Sequence, residues 1–181
     1  MPRKRGWLRI RVPSLVAATR TPMSPQDFWP NLDARFALKA GQDPTRGQLL
    51  ILAAQWCLET ANGQSMVQWN VGNVKHVDGD GLDWTSFTTT EYIDGQAHVM
   101  TQLFKAYPSC EAGIDAYLGM FLGGRYTLCW PFVLDGDVAG FVHALAQKGY
   151  FTAPESGYLA GVEARLAQLE AMNLPELSGG P

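Results

Sequence analysis

The distribution of apolar positions predicts helices before and after one short β-hairpin. Apolar residues recur at helical spacing from Phe28 to Leu38. Ser24-Pro25 supplies a cap and a first-turn proline ahead of this face, and Gly41 supplies an end signal. The pattern therefore predicts a first helix between these two signals.

A second helix is expected to lie at the centre of the fold. Residues 49–58 are apolar almost all the way round the helical projection, which is typical of a helix buried on every side. We expect this helix to open at Asp43-Pro44 and to stop at Asn62-Gly63, just after Glu59.

The hairpin signal follows a loop rich in Asp and Gly. Residues 85–93 are rich in β-branched and aromatic side chains, Asp94-Gly95 favours a two-residue turn, and residues 97–106 supply the returning strand. Three later helices are expected to begin near Ser109, Asp137 and Pro154. The fold class is therefore α+β, a helical body with a small β-hairpin lobe inserted after the second helix.

Charge divides the chain unevenly. Its 181 residues are 46% hydrophobic and 17% charged, as expected for one folded domain. Residues 1–20 carry six basic and no acidic side chains, which leaves eight basic and seventeen acidic residues beyond them. We predict a basic N-terminal arm at 1–23, a domain at 24–173 and a flexible tail at 174–181. A solvated arm and an arm that contacts an anionic partner both fit this charge.

Cysteine content and hydropathy exclude several classes of protein. Cys57, Cys110 and Cys129 allow at most one disulfide and match no metal-binding spacing. The apolar runs are shorter than the roughly 18 residues that a membrane span needs. Residues 7–18 are too interrupted for a secretory signal. We therefore expect synthesis in the cytoplasm without a recognisable signal peptide.

Two carboxylates provide the main candidate chemistry. Glu59 ends the central helix, and Glu91 lies 32 positions later in the Thr-rich strand. Glycosidic bond cleavage uses two acidic groups, or one acid and a substitute, that converge on a sugar from different elements. A surface glutamate at a frayed helix end and a solvent-facing strand residue are the alternatives for this pair.

Five segments occur in a fixed order between about residues 25 and 172. They are Gln55-Trp56-Cys57-Leu58-Glu59-Thr60-Ala61-Asn62-Gly63, Thr88-Thr89-Thr90-Glu91-Tyr92, Phe104-Lys105-Ala106-Tyr107-Pro108-Ser109, Arg125-Tyr126 and Gly149-Tyr150-Phe151-Thr152. Taken together and in this order, they resemble glycoside hydrolase family 73, the β-N-acetylglucosaminidases of peptidoglycan.

The resemblance implies a lysozyme-like fold and a specific reaction. It implies hydrolysis of the β-1,4 bond after N-acetylglucosamine in peptidoglycan glycan strands. Glu59 would be the general acid, Glu91 the base or stabiliser, and Tyr150 a third catalytic residue that orients the N-acetyl group. A core tyrosine bonded to backbone is the alternative for Tyr150. Retention, inversion and participation of the substrate acetamido group all stay open.

Substrate contacts are expected beside this centre. The candidates are Trp69, Asn70, Asn73, Tyr92 and Tyr158, although aromatic residues in the core and turn-capping asparagines have the same signature. The segment from Asn70 to Lys75 departs from the family pattern, since it lacks the aromatic residue and has Asn73 where the family has glycine. This departure alters the expected floor of the sugar site.

No cofactor is expected. The Asp-Gly-rich loop at 78–83 lacks the closing glutamate of a calcium loop, and the three histidines share no ligand spacing. Neither phosphate-loop nor nucleic-acid motifs accompany the basic arm. The expected partner is therefore peptidoglycan, with no metal, nucleic acid or membrane span.

Two alternatives to hydrolysis and one question of delivery follow from the sequence. A lytic transglycosylase would keep the fold and work with one glutamate, and a non-catalytic wall-binding component of a delivery particle would keep only binding. The protein is expected to act as a monomer at the cell wall or in the periplasm. It would reach this place by lysis, a phage tail, an injection device or a dedicated secretion system.

Overall fold

The computed structural model describes residues 12–93 and 96–178, with the backbone alone at 90–93 and 97. It is a mixed α+β fold whose strands form one antiparallel pair between the second and third helices. In chain order the elements are α1 (Pro25–Ala40), α2 (Arg46–Glu59), β1 (Trp84–Ile93), β2 (Gln96–Lys105), α3 (Cys110–Leu122), a 3₁₀ turn (Thr127–Cys129), α4 (Trp130–Asp135), α5 (Val138–Gln147) and α6 (Glu155–Glu170).

Helix α2 is the centre of the helical body, as its apolar pattern predicts. Every residue from Gln48 to Cys57 is buried, and the helix packs against α1, α4 and α6. The predicted start at Asp43-Pro44 is wrong. Thr45 is the cap instead, and its hydroxyl accepts from the Gln48 N–H while the Gln48 side chain accepts from the Thr45 N–H. This reciprocal pair satisfies two backbone donors that would otherwise have no partner.

Helix α1 closes one side of α2 through aromatic packing. Ser24 caps it and Gly41 ends it in a left-handed conformation, as predicted. The Phe28 ring stacks on Trp56 with centroids 3.8 Å apart and an angle of 15° between the rings. Both side chains are fully buried, so this stack fixes α1 against the helix that ends in Glu59.

The hairpin is anchored at its base on both edges. Trp84 pairs with Lys105 at the open end, and Ile93 pairs with Gln96 at the other. Val16 donates its N–H to the Trp84 carbonyl along one edge, and Lys105 donates to the Val74 carbonyl along the other. These contacts hold the base of the hairpin to the helical body. The predicted turn at Asp94-Gly95 lies outside the described residues.

Helices α3, α5 and α6 follow their predicted caps. Ser109 and Asp137 each accept a hydrogen bond from a first-turn N–H, and Pro154 precedes α6. The sequence interpretation missed the 3₁₀ turn and α4. Their signal is weak because α4 is six residues long and its cap has no side-chain hydrogen bond. Within the described residues, no helix is both long and apolar enough to cross a lipid bilayer.

The two ends of the described chain lie against the body. The Arg20 guanidinium donates to the Gln64 carbonyl at 3.3 Å. At the other end, Leu174 is buried and the indole of Trp29 donates to the Pro175 carbonyl at 3.0 Å. The predicted limits of the arm at 1–23, the domain at 24–173 and the tail at 174–181 stay predictions.

Loss of the α2 cap should destabilise the fold. We expect Thr45→Ala to lower the free energy of unfolding by about 1 kcal/mol, because a first-turn N–H loses its acceptor. Urea unfolding followed by circular dichroism measures this change. Thr45→Ser keeps the hydroxyl and should match the wild type, and equal losses in both variants would contradict the capping role.

Candidate active site

Glu59 is the last residue of α2, and the backbone turns sharply after it. The Thr60 hydroxyl donates to the Trp56 carbonyl at 2.6 Å and accepts from the Gly63 N–H at 2.9 Å. Gly63 has φ +81°, and a Cβ there would lie 2.0 Å from the Met23 carbonyl oxygen. Only glycine fits this turn. The turn ends α2 and leaves Glu59 as its last residue.

A cleft of about 860 Å³ lies between the helical body and the hairpin, with Glu59 in its wall. This volume is within the usual range for small-molecule sites, roughly 300–1,000 Å³. The hairpin contributes aromatic and hydroxyl side chains, and the body contributes small, aromatic and basic ones. The lining residues are Glu59, 72–75, Val77, Phe87, Thr89, Phe104, Lys105, Ala116, Gly119, Met120, 124–126 and 149–152.

Burial dominates the electrostatics of Glu59. Desolvation raises the pKa of its carboxyl above the ordinary value, and a hydrogen bond from the Tyr158 hydroxyl partly opposes this shift. That bond runs from the Tyr158 hydroxyl to Glu59 Oε1 at 2.7 Å. A carboxyl group with a raised pKa at the wall of a cleft keeps a proton available for transfer.

Tyr150 also lines the cleft. Its hydroxyl donates to the Gly72 carbonyl at 3.0 Å, and its ring meets the Tyr126 ring edge-on with centroids 5.1 Å apart. Burial and the nearby Glu59 carboxylate raise the pKa of Tyr150 well above its ordinary value, so the hydroxyl remains protonated. The structure brings Tyr150 and Glu59 into one cleft, and the catalytic role of Tyr150 stays a prediction.

Tyr158 lies behind Glu59 and does not line the cleft. It is 9% exposed, and Phe151 stacks on its ring with centroids 3.9 Å apart. One ring face is therefore covered by protein, and the hydroxyl is engaged by Glu59. Substrate binding by Tyr158 stays a prediction.

Asn70 is committed to holding the loop that forms the cleft floor. It is 2% exposed, and its amide donates to the carbonyls of Val74 and Lys105 at 2.9 and 3.0 Å. Its side-chain oxygen accepts from the Val74 N–H at 2.8 Å. These three bonds match the turn-capping alternative and join the loop to the end of β2.

Asn73 and Trp69 occupy different environments. Asn73 lines the cleft, has φ +48°, and donates its amide to the Glu59 carbonyl at 2.7 Å. Asparagine tolerates this left-handed backbone, which explains how it replaces the glycine of the family pattern. Trp69 is half-buried against the core and does not line the cleft. Substrate binding by either residue stays a prediction.

The register of the hairpin assigns faces to its central residues. Phe87 and Thr89 line the cleft, and position 91 shares their side of β1 because strand residues alternate between faces. Position 92 falls on the opposite face. The side chains of Glu91 and Tyr92 lie outside the described residues, so their predicted roles stay predictions.

Sequence reasoning missed Gln55, which lies four residues before Glu59 in α2. Its side chain is fully buried, and its Nε2 lies 3.5 Å from the Tyr158 hydroxyl. The signal was present in the sequence, because a glutamine inside an apolar helical run must find a buried partner. Only the fold identifies that partner.

The Asp-Gly-rich loop serves the base of the hairpin. Asp80 accepts from the Leu82 N–H at 3.0 Å, and the Lys105 ammonium lies 3.2 Å from its other carboxyl oxygen. His76 stacks on Trp84 with centroids 4.6 Å apart. Among the described side chains, no group of three or more His, Cys, Asp or Glu residues could hold a metal ion.

Removing the Glu59 charge should stabilise the protein as the pH rises. The raised pKa of folded Glu59 contributes stability below the unfolded value, near 4.5, and this contribution is lost as the folded carboxyl ionises. Glu59→Gln does not titrate. We expect its unfolding free energy to exceed that of the wild type increasingly as the pH rises from this value to the raised pKa of folded Glu59. Urea melts across this range measure the difference, and a difference that shrinks with pH would contradict it.

Truncation of Asn70 should act on stability more than on substrate contact. We expect Asn70→Ala to lower the free energy of unfolding by about 2–3 kcal/mol, because three buried hydrogen bonds are lost. Asn70→Asp keeps the acceptor for Val74 and loses both donations, so it should also be destabilised. Urea unfolding measures both variants. Wild-type stability combined with a raised KM would favour the substrate-binding alternative.

The sequence matches a known protein family. Residues 42–170 match the glucosaminidase family described as mannosyl-glycoprotein endo-beta-N-acetylglucosaminidase. Among curated proteins, none matches the chain significantly in sequence.

Solved structures share the fold. A mutant of a peptidoglycan hydrolase from Sphingomonas sp. A1 is 25% identical, with a TM-score of 0.59 over 82% of this chain and 94% of that one. The truncated glycoside hydrolase domain of FlgJ from Salmonella typhimurium is 24% identical, with a TM-score of 0.55 over 83% of this chain and 100% of that one. The catalytic domain of the autolysin Auto from Listeria monocytogenes is 16% identical, with a TM-score of 0.55 over 84% and 88%.

These likenesses agree with a helical body and an inserted hairpin. The family match covers most of the chain and includes every element from α2 to α6. The resemblance to glycoside hydrolase family 73 and the predicted lysozyme-like α+β fold are confirmed. The chain therefore belongs to the glucosaminidase family and is a glycoside hydrolase.

Proposed function

We propose that the protein hydrolyses the β-1,4 bond after N-acetylglucosamine in peptidoglycan glycan strands, with Glu59 as the general acid. The observation that carries this proposal is the desolvated Glu59 carboxyl in the wall of the cleft. The family description supports cleavage at N-acetylglucosamine, and the likeness to the Sphingomonas peptidoglycan hydrolase supports peptidoglycan as the polymer.

The proposed reaction needs proton donation on one side of the sugar and attack on the other. Glu59 gives its proton to the glycosidic oxygen, which takes the electron pair of its bond to C1. The oxygen of a water molecule finally bonds to C1, and its proton goes to Glu91 or to solvent. Glu59 regains a proton from solvent before the next turnover.

The place of Glu91 in this scheme is supported by hairpin register alone. Position 91 lies on the strand face that also carries the cleft-lining residues Phe87 and Thr89. A carboxyl separation of about 5–5.5 Å would favour retention, and about 6.5–9.5 Å would favour inversion. A nucleophilic acetamido group of the substrate would remove the need for a second carboxylate at bonding distance.

The cleft composition suits an N-acetylated sugar polymer. Phe87 and Tyr126 offer half-buried ring surfaces, and the Tyr150 hydroxyl and Asn73 amide offer polar groups in the same cleft. Aromatic faces pack against the C–H faces of sugar rings, and amides bond acetamido groups. We propose that Asn73 and Tyr150 hold the acetamido group beside Glu59.

Action at the cell wall or in the periplasm follows from this substrate and belongs to the proposal. Delivery by lysis, a phage tail, an injection device or a secretion system is part of the same hypothesis. The basic arm at 1–23 would then contact the carrier or the wall through its positive charge.

Glu59→Gln should abolish cleavage while leaving the fold intact. Because the acid is lost, we expect release of reducing ends from purified peptidoglycan to fall at least about 100-fold. Mass spectrometry of reduced products should find water added at each cut and a reduced N-acetylglucosamine terminus. Glu155→Gln is the matched control, because Glu155 is exposed and pairs with His143 outside the cleft.

Three outcomes would contradict the proposal. Anhydro termini without added water would indicate a lytic transglycosylase. Binding to peptidoglycan without new termini would indicate a wall-binding component. Wild-type cleavage by Glu59→Gln would remove Glu59 from the chemistry.

A further inference from the structure

A buried chain of hydrogen-bonding side chains leads from α3 to the carboxyl of Glu59. The Tyr117 hydroxyl contacts Gln55 Oε1 and lies 3.0 Å from the Leu52 carbonyl. Gln55 Nε2 lies 3.5 Å from the Tyr158 hydroxyl, which is 2.7 Å from Glu59 Oε1. Three helices therefore contribute to one chain: Tyr117 from α3, Gln55 and Glu59 from α2, and Tyr158 from α6.

Apart from Glu59, the members of this hydrogen-bonded chain do not reach the cleft. Gln55 and Tyr117 are 0% and 1% exposed, Tyr158 is 9% exposed, and none of the three lines the cleft. Their side chains contact one another and Glu59 instead. Burying polar side chains costs stability unless their hydrogen bonds are satisfied. Three such side chains lie in series behind Glu59, which suggests that they act on its carboxyl.

Chemistry fixes the direction of the last bond. An ionised carboxylate is an acceptor only, so Tyr158 must be the donor to Oε1. The Gln55 oxygen is engaged by Tyr117, which turns the amide nitrogen of Gln55 toward the Tyr158 oxygen. The Tyr158 oxygen then accepts a hydrogen bond from the Gln55 amide, and the Tyr158 hydroxyl hydrogen points toward Glu59.

We propose that Tyr158 and Gln55 are positioning residues that keep the transferable proton of Glu59 on Oε2. Oε1 already receives the Tyr158 proton, whereas no hydrogen bond from a described residue reaches Oε2. A proton that Glu59 takes up therefore bonds to Oε2. Since Oε1 points to Tyr158 behind the cleft wall, Oε2 is the oxygen that remains for the glycosidic bond. This inference rests on the proposed function.

The other ionisable side chains described near Glu59 do not donate a hydrogen bond to its carboxyl in place of Tyr158. Tyr117 and Tyr150 face Glu59 from α3 and from the loop after α5, and burial raises the pKa of both well above the ordinary value. The Tyr150 hydroxyl donates to the Gly72 carbonyl instead of the carboxyl. Among the described side chains, the charged ones that line the cleft with Glu59 are Lys75, Lys105 and Arg125.

Tyr158→Phe separates positioning from packing, because it removes the hydroxyl and keeps the ring that stacks on Phe151. We expect kcat to fall roughly tenfold with KM unchanged, since the acid loses part of its orientation. The alkaline limb of the pH profile of kcat/KM should move to higher pH, because the ionised carboxyl loses its donor. Tyr107→Phe is the control, a buried hydroxyl deletion outside both the chain and the cleft, and should behave as the wild type.

Direct titration of Glu59 tests the contact without any need for activity. Carbon NMR of labelled glutamate should give a higher pKa for Glu59 in Tyr158→Phe than in the wild type. An unchanged or lowered value would overturn the proposal, because Tyr158 would then not donate to the carboxylate. An alkaline limb that stays in place, with kcat within about twofold of the wild type, would also overturn it.

A double-mutant cycle tests the part assigned to Gln55. Gln55→Met removes the amide at similar volume, and it should lower kcat less than Tyr158→Phe does. If Gln55 acts through Tyr158, the double variant should be no slower than Tyr158→Phe alone. Additive losses would overturn the role of Gln55. If the wild type does not cleave peptidoglycan, or Glu59→Gln still does, the proposed function fails, and the titration alone decides whether Tyr158 donates to Glu59.

Discussion

Burial of α2 from every side is the constraint on which the rest of the structure depends. Because other helices pack around α2, they determine how deeply its last residue, Glu59, is buried. Trp56 and Cys57 are buried just before Glu59, so the carboxyl inherits an environment poor in water. Desolvation is therefore the largest influence on its pKa. The packing of the core around α2 is therefore also the cause of the raised pKa of Glu59.

The hairpin is built on a different physical basis. Its base is held by backbone hydrogen bonds on both edges, from residue 16 on one side and residue 74 on the other. Its inner face supplies one wall of the cleft through Phe87 and Phe104, whose rings stack with centroids 4.1 Å apart. The helical body thus determines the pKa of the Glu59 carboxyl, and the hairpin determines the shape of the cleft in front of it.

Local sequence signals were sufficient for most of the fold. Ser24, Ser109 and Asp137 are caps whose side-chain oxygens satisfy first-turn N–H groups, and such chemistry depends on few neighbours. Short α4 escaped because it lacks a side-chain cap. The start of α2 was misplaced because Asp43-Pro44 resembles a cap, whereas Thr45 forms the reciprocal pair with Gln48.

The site was less accessible to sequence reasoning, because its geometry depends on long-range packing. Glu59 was identified from a helix end and a motif. Asn70 and Tyr158 are of residue types that bind sugars, and in the fold one bonds the loop at Val74 while the other bonds the Glu59 carboxyl. Gln55 was missed since its partners come from α3 and α6, and no spacing along α2 identifies them.

The stack of Phe28 on Trp56 has a consequence for the limits of the cooperative folding unit. The family match begins at residue 42, after α1 has ended. A fragment trimmed to that match would expose the Trp56 indole face, three residues before Glu59, and let water approach the acid from behind. The family match is therefore shorter than the region that must fold together, and α1 shields the Glu59 end of α2 from water without lining the cleft.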